Sequence, residues 1–343
     1  MKNLFSVAAV IAAAFCVAAG QPHVASPATN RLAQLTVRSP SGYENLTLFP
    51  LTGPASGHAG YYLLDEAIRS GQVKVQEKDG GQVNTVRMNN TGKTYVFGMA
   101  GEIVSGAKQD RMLQDDVLLP PGSGWLDVPV FCTEHGRWTG ATMNFGTKGY
   151  MASGKVRGKA SQTGSQEEVW AEVDAAHEGL GVATPSRAFA KVYEDKGAQE
   201  QAQPYIEKLD GLPALFPGAI GVAVAVGNQI VCVDVFGSPE LFQKMWPKLL
   251  RSYVIDAMQS RAHGKMTVKQ VQQFIRSAAG AQVTSQPTVG AGTLQRLSAP
   301  NASGSALVFK KTLVHLDLFP ETNSDRGDGP APRLDVRRQR TLE

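Results

Sequence analysis

Two strand-like runs joined by a two-residue turn constrain the fold of this chain more than any other segment. Residues 219–226 and 229–236 are rich in valine, alanine and isoleucine, and Gly227 and Asn228 separate them. Such a pair between two β-forming runs is typical of a tight β-hairpin, because glycine and asparagine tolerate the positive φ angles of the turn. The sequence therefore predicts a hairpin over residues 219–236.

A helix is predicted directly after the hairpin. Ser238 has the side chain of an N-cap, Pro239 suits the first helical position, and Glu240 places a negative charge in the first turn. Apolar residues at helical spacing continue to about Gln259. Pro247 is expected to kink or split this helix, because proline lacks an amide hydrogen and clashes with the preceding turn.

The first half of the chain is dominated by strand-like segments. Residues 73–77 alternate between apolar and polar side chains, which is typical of a half-buried strand. Further candidates are residues 46–51, 83–88, 94–99, 117–119 and 126–131. Helical patterns become frequent after Ser165, which forms a predicted capping box with Glu168. The sequence thus predicts an α+β fold with a β-rich N-terminal half, a helix-rich later half and a mixed sheet packed by helices.

Residues 139–165 differ in composition from both halves. They are rich in glycine and contain several basic residues but no acidic one. This composition predicts a mobile, positively charged loop. Two interpretations are open: a solvated linker, or a lid or arm that contacts an anionic partner.

The N-terminus has the pattern of a secretory signal peptide. Lys2 precedes an apolar run over residues 4–19 that ends in small residues, and this run is short for a membrane-spanning helix. We therefore expect a secreted or periplasmic protein that has no integral membrane segment after the signal is removed. The predicted organisation is a signal peptide (1–20), a leader (21–41), an α+β domain (42–262), a C-terminal extension (263–320) and a disordered tail (321–343).

Composition narrows the classes of function. Hydrophobic residues make up 42% of the chain, which is typical of a globular protein. The net charge of +4 is too small to indicate nucleic-acid binding. The chain has no Cys-x-x-Cys motif and no histidine pair at ligand spacing, so no metal or other cofactor is predicted. In an oxidising compartment Cys132 and Cys232 could form one disulfide, and the alternative is two separate buried thiols.

Two charged motifs, at residues 101–111 and 130–138, contain the candidate ligand-binding residues. Both place charged side chains beside glycines. Guanidinium groups bind phosphate or carboxylate through two hydrogen bonds, lysine adds a point charge, and an indole ring can stack on a base or a sugar. The candidates are Lys108, Gln109, Arg111, Arg137 and Trp138.

The same motifs allow a catalytic and an architectural interpretation. Glu102 and Glu134 could act as a pair of carboxylates in hydrolysis, and His135 could act as an acid or a base. Alternatively, the two glutamates pair with Arg111 and Arg137 and hold two strands together, as internal ion pairs often do. No nucleophile elbow and no dinucleotide-binding glycine motif is present in the sequence.

The motifs resemble a known family. The residues from Glu102 to Arg111, those from Val130 to Trp138, and residues 252–257 in the predicted late helix resemble the ARG and Rhodanese-Phosphatase-superfamily-associated Protein domain, over roughly residues 42–260. Family members more often carry Asn at the position of Asp110 and Gln at the position of His135. The family name reflects association with ADP-ribosylglycohydrolases and phosphatases. The resemblance therefore implies a link to ADP-ribose or nucleotide chemistry, without implying a particular catalytic activity.

The expected function is that of an exported protein that binds an anionic ligand, which the resemblance suggests is nucleotide- or ADP-ribose-like. Two alternatives stay open at this point. One is a hydrolase that uses Glu102 or Glu134. The other is a structural protein of the cell envelope, in which the motifs only hold the fold.

Overall fold

The computed structural model describes residues 26–55, 60–137 and 142–321. The helices are α1 (Pro27–Ala33), α2 (Leu64–Arg69), α3 (Gly154–Thr163), α4 (Gln166–Leu180), α5 (Ala190–Glu194), α6 (Lys196–Leu209), α7 (Leu212–Leu215), α8 (Pro239–Gln259) and α9 (Val268–Ala278). The strands are β1 (Thr36–Val37), β2 (Ser41–Tyr43), β3 (Leu46–Thr52), β4 (Tyr62–Leu63), β5 (Val73–Glu77), β6 (Thr85–Asn90), β7 (Val96–Gly98), β8 (Glu102–Gly106), β9 (Arg111–Leu113), β10 (Val117–Leu119), β11 (Trp125–Cys132), β12 (Asn144–Met151), β13 (Ala219–Val226), β14 (Gln229–Phe236), β15 (Gln282–Pro287), β16 (Thr293–Ala299), β17 (Ala302–Phe309) and β18 (Thr312–Pro320).

This mixture of helices and strands confirms the predicted α+β fold. Helices α3–α9 follow residue 153, but β13–β18 also belong to the later half, so helix and sheet are interleaved there. The predicted signal peptide and all but one residue of the predicted tail lie outside the described residues, and export stays a prediction.

Nine strands form one large sheet, in the order β1-β3-β13-β14-β18-β17-β16-β15 with β2 paired to β3. Its strand pairs are antiparallel. Near its centre β13 and β14 confirm the predicted hairpin, with Val226 opposite Gln229 and Gly227 at a φ of 59°. A parallel pair, β4 with β7, occurs in a separate three-stranded sheet of order β10-β7-β4.

Helices cover both faces of the large sheet. On one face α8 packs Phe242 and Leu249 into a cluster with buried strand residues. On the other face α1 and α9 do the same with Leu32 and Ile275. Every residue of β13 is consequently buried, which explains why its sequence is apolar throughout rather than alternating.

Helix α8 begins where the sequence predicts. The Ser238 hydroxyl accepts a hydrogen bond from the Leu241 amide at 3.2 Å, as an N-cap does. The helix then continues through Pro247 to Gln259 as one element, so of the kink or split predicted at the proline, the split is wrong. In the described parts of the chain, neither α8 nor any other helix combines the length and the apolar character that a membrane span requires.

The segment predicted as a C-terminal extension is part of the large sheet. Helix α9 and strands β15–β18 all come from this segment, and β18 lies between β14 and β17, with Leu316 opposite Val235. The large sheet therefore combines strands from both sides of the domain boundary predicted at residue 262. Small residues dominate much of 277–306, and this composition concealed strands β15 and β16.

Six strands of the first half close into a barrel, in the order β11-β6-β5-β12-β8-β9. Val75, Met88, Val104 and Val130 belong to its buried apolar cluster. The strand registers bring three segments to one end of this barrel: residues 78–84, 107–110 and 133–137. We call this end the motif end, because both charged motifs reach it.

The prediction of a mobile loop over residues 139–165 is wrong for most of that segment. Its described residues form strand β12 of the barrel and helix α3. A Cβ on Gly154 would lie 2.8 Å from Asp256 Oδ2, and one on Gly158 would lie 3.0 Å from the Phe319 ring. These glycines allow α3 to pack closely, so their abundance reflects close contact rather than flexibility. Residues 139–141 lie outside the described part of the chain.

Candidate functional site

The two charged motifs become neighbours at the motif end of the barrel. Strands β8 and β9 contain the first motif, and β9 pairs with β11 so that Arg111 lies opposite Cys132. The second motif continues from Cys132 into the loop before β12. Strand pairing thus joins two segments that the sequence keeps apart.

Arg137 and Glu134 form a two-pronged ion pair within the loop that follows β11. Arg137 Nε donates to Glu134 Oε1 at 2.9 Å, and Arg137 Nη2 donates to Glu134 Oε2 at 2.7 Å. Arg137 Nη1 also donates to the Ala107 carbonyl at 2.8 Å. Glu134 is only 3% exposed, whereas the Arg137 side chain is 31% exposed. The hydrogen bonds to Glu134 raise the pKa of Arg137, so the guanidinium stays charged and holds the two loops together.

Asp110 adds a hydrogen bond between the loop after β8 and Glu134. Its amide donates to Glu134 Oε2 at 3.0 Å, and its Oδ1 accepts from the Gly106 amide at 3.0 Å. Burial raises the pKa of Asp110, while the hydrogen bond from Gly106 opposes that rise. An Asn side chain could accept the same bond through its Oδ1 atom, so either residue can close the turn between β8 and β9.

Arg111 and Gln109 lie inside the barrel. Arg111 Nη1 donates to the Gln109 carbonyl at 3.1 Å and to Gln109 Oε1 at 3.2 Å, and Arg111 Nη2 is 3.9 Å from Glu77 Oε1. Glu77, which the sequence did not single out, also accepts from the Lys108 amide at 3.2 Å. Lys108 Nζ donates to the Gly80 carbonyl. Gln109 and Arg111 are therefore buried, whereas Lys108 is partly exposed.

His135 contacts helix α4. This exposed residue packs its ring against Trp170, with ring centroids 4.3 Å apart and the planes tilted by 30°. Its backbone amide and that of Gly136 donate to the Ser186 carbonyl at 3.2 and 2.9 Å. Trp138, the remaining ligand-binding candidate, lies outside the described residues.

Glu102 belongs to a different cluster from Glu134. Its Oε2 accepts from the Met99 amide at 2.9 Å, and its Oε1 accepts from Lys248 Nζ of α8. The same Nζ donates to Asp65 Oδ1 at 2.6 Å. Burial raises the pKa of Glu102, although Lys248 acts against this effect. The two candidate carboxylates therefore do not form a pair. The sequence did not single out Lys248, because a single basic residue on an amphipathic helix is an ordinary feature.

The two cysteines are separate buried thiols, which is one of the two possibilities that the sequence left open. Cys132 ends a barrel strand, and its Sγ lies 3.4 Å from the Val83 carbonyl. Cys232 lies in the large sheet, with its Sγ 3.7 Å from Asp234 Oδ2. Burial raises the pKa of Cys132 to about 11, so this thiol stays protonated at neutral pH.

The largest buried charge network was not predicted. Arg157 donates from Nη1 and Nη2 to the two oxygens of Asp234 at 2.9 and 2.8 Å, and the Tyr253 hydroxyl donates to Asp234 Oδ2 at 2.6 Å. His315 lies between two carboxylates, with Nδ1 2.8 Å from Asp116 Oδ2 and Nε2 3.4 Å from Asp234 Oδ1. A signal was present in the sequence, because Asp234, His315 and Asp317 interrupt the apolar runs of β14 and β18.

This network predicts a fall in stability at alkaline pH. Burial alone would lower the pKa of His315, but Asp116 and Asp234 outweigh it and raise the pKa from 6.5 to about 10. A raised pKa means that the folded state holds the proton more tightly than the unfolded state. The resulting stabilisation is complete below pH 6.5 and is lost as the pH rises toward about 10.

Denaturant unfolding of the wild type and of His315→Gln at several pH values between 6.5 and 10 measures this effect. The free energy of unfolding of the wild type should fall across this range, and that of the variant should fall less steeply. Equal slopes for the two proteins would contradict the role assigned to His315.

A cationic groove lies where the C-terminal end of α8 leads into residues 261–265. It has a volume of about 520 Å³, within the range of small-molecule sites. The exposed side chains of Arg261, His263 and Lys265 line it and make no hydrogen bond or ion pair with other described residues. The remaining lining residues are Glu44, Asn45, Tyr205, Ser260, Ala262 and Gly264. We call this surface the 261–265 groove.

Comparison with known proteins identifies one family. The model of the ARG and Rhodanese-Phosphatase-superfamily-associated Protein domain matches residues 34–319. The match extends beyond the part of the chain that contains the motifs and includes strands β15–β18 of the large sheet. No curated protein and no solved structure matches the chain.

Proposed function

Because the chain belongs to the family of the ARG and Rhodanese-Phosphatase-superfamily-associated Protein domain, we propose that it binds an anionic small molecule of the nucleotide or ADP-ribose type and does not transform it. The association in the family's name supports this ligand class. The burial of Glu102 and Glu134, and their pairing with cations of the protein, support binding rather than catalysis.

Glu102 and Glu134 are both buried and already engaged. A general acid or base must come within hydrogen-bonding reach of its substrate. The oxygens of Glu134 accept from Arg137 and from the Asp110 amide, and those of Glu102 accept from Lys248 and the Met99 amide. Since each carboxylate faces a cation inside the protein, neither is available to a substrate in this arrangement.

Asp317, another buried carboxyl, is equally closed. The cavity beside Arg157 and Asp317 has room for about one water molecule. A nucleotide-sized substrate therefore has no path to Asp317 in this arrangement, even though burial raises the pKa of that carboxyl to about 6. In contrast, the 261–265 groove is open and presents cations without internal partners, which favours capture of an anion.

A turnover assay tests this proposal against the hydrolase. Purified protein should hydrolyse neither ADP-ribosyl nor phosphoester substrates, because neither Glu102 nor Glu134 is free to act. The control is Glu134→Gln, since loss of an acid–base carboxylate lowers a rate by roughly a hundredfold or more. Turnover that survives repurification and disappears in Glu134→Gln, or in Glu102→Gln, would establish the hydrolase instead.

A second role is supported for the charged motifs themselves. The contacts of Arg137 with Glu134 and with the Ala107 carbonyl favour a brace that fixes the loops at the motif end. This is the architectural interpretation of the sequence, now applied to the loops rather than to two strands. Ligand binding through Lys108, Arg137 and Trp138 is the competing hypothesis, and the Arg137→Ala experiment described below distinguishes the two.

A further inference from the structure

We propose that the 261–265 groove binds a phosphate group attached to a hydroxyl-rich ring, as in a sugar phosphate or a nucleotide. The inference rests on the proposed function, because it assigns the anionic ligand a site and a chemistry. It also places that site away from the charged motifs that drew attention in the sequence.

One wall of the groove has the chemistry of a phosphate site. Arg261, His263 and Lys265 alternate along one short segment that follows α8. Guanidinium and ammonium groups both donate charge-assisted hydrogen bonds to phosphate oxygens, and a histidine ring can add a further donor. Since these side chains have no partner among the described residues, an incoming anion displaces no internal ion pair.

Another part of the groove lining has the chemistry of a hydroxyl site. Glu44 is exposed, and its carboxylate can only accept hydrogen bonds. It lies close enough to Tyr205 to contribute, after burial, to the raised pKa of that phenol. The Tyr205 ring meets Tyr43 edge-on, with centroids 4.9 Å apart, so this part of the lining offers an aromatic surface beside an acceptor. A bare phosphate would be repelled by Glu44, whereas a ring that carries hydroxyl groups can donate to it.

Hydrogen bonds within the protein already hold Asn45, one of the lining residues of the groove, in place. Asn45 Nδ2 donates to the Ala257 and Ser260 carbonyls at 2.9 and 3.0 Å. The Tyr205 hydroxyl donates to Asn45 Oδ1 at 3.1 Å. These bonds connect β2–β3, α6 and the end of α8, so little ordering is required on binding.

The turn of the central hairpin positions the cationic segment. A Cβ on Gly227 would lie 2.8 Å from Ala262, which shows how closely the turn and the segment approach. Gly264, between His263 and Lys265, has a φ of 87°, a conformation that a side chain would strain. Gly227, which forms the turn of the predicted hairpin, therefore also lies beside the groove.

Isothermal titration of the full chain tests the inference with four probes: inorganic phosphate, ribose 5-phosphate, AMP and ADP-ribose. The three ribose compounds should bind more tightly than inorganic phosphate. The double substitution Arg261→Ala/Lys265→Ala should weaken their binding by about tenfold or more, because it removes two charge-assisted contacts. The matched control Lys269→Ala/Arg276→Ala removes the same two residue types from the exposed side of α9 and should change the affinity by less than about twofold.

A third variant tests the contribution of Glu44 separately from that of Arg261 and Lys265. Glu44→Ala should weaken binding of ribose 5-phosphate and AMP without weakening that of inorganic phosphate, since alanine leaves the ring hydroxyls without this acceptor. Inorganic phosphate binding as tightly as ribose 5-phosphate would overturn the hydroxyl part of the proposal. Tight binding that the Arg261→Ala/Lys265→Ala substitution leaves unchanged would overturn the site and leave the proposed function standing. Absence of binding for all four probes would overturn the proposed function as well.

Discussion

Arg157→Met is expected to lower the free energy of unfolding by about 3–5 kcal/mol, the usual effect of removing one partner of a buried ion pair. Methionine keeps most of the length of the arginine side chain but removes its charge. Asp234 would keep its contacts with Tyr253 and His315 but lose both guanidinium hydrogen bonds. Because Asp234 is fully buried, water cannot replace them.

A surface ion pair provides the matched control for this substitution. Arg187 Nη1 lies 3.0 Å from Asp174 Oδ2, but the two side chains are 56% and 28% exposed. Arg187→Met should therefore cost less than about 1 kcal/mol. Urea unfolding followed by circular dichroism measures both variants, and equal small losses would show that the buried network contributes little.

Arg137→Ala is expected to lower the free energy of unfolding by about 3 kcal/mol, near the lower end for a buried pair. The substitution leaves the Glu134 carboxylate buried with only the Asp110 amide as a donor, and the Ala107 carbonyl loses its guanidinium partner. The effect should stay near the lower end because Arg137 is partly exposed and water can enter its place.

Arg137→Lys distinguishes a geometric brace from a simple charge contact. Lysine keeps the positive charge but cannot donate to both oxygens of Glu134 and to the Ala107 carbonyl through a planar fork. The free energy of unfolding of Arg137→Lys should therefore lie between those of the wild type and Arg137→Ala. A lysine variant as stable as the wild type would show that charge alone is sufficient.

Local sequence patterns predicted the elements whose structure depends on near neighbours. The hairpin of β13 and β14 follows from two β-forming runs and a Gly-Asn turn, and α8 begins at Ser238 because its hydroxyl caps the first turn. Arg137 and Glu134 are three residues apart, so their pairing could also be anticipated. These contacts are closed within a few residues and need no knowledge of the rest of the fold.

The barrel and the long-range charge networks could not be predicted in the same way. Barrel closure depends on pairs such as β12 with β8, in which the register rather than local propensity decides the partner. Lys248 meets Glu102 across 146 residues, and His315 meets Asp116 across 199 residues. One charged residue in an apolar segment signals a buried partner, but it does not say which residue that partner is.

Glycine content misled the interpretation of α3 for a related reason. Gly154 and Gly158 suggested a mobile linker, because glycine is common in flexible loops. In the folded chain they lie against Asp256 and Phe319, where a side chain would collide. Only the tertiary contact distinguishes a glycine that allows movement from one that allows close packing.

The most direct test of the account measures stability and AMP affinity together in Arg137→Ala and in Arg261→Ala/Lys265→Ala. The account predicts opposite outcomes for the two proteins. Arg137→Ala should unfold at a lower urea concentration while its dissociation constant for AMP, measured where it is folded, stays within about twofold of the wild type. Arg261→Ala/Lys265→Ala should keep the unfolding midpoint of the wild type and bind AMP about tenfold more weakly or worse. An Arg137→Ala protein that is as stable as the wild type but has lost AMP binding would contradict the account, because it would place the ligand on the charged motifs.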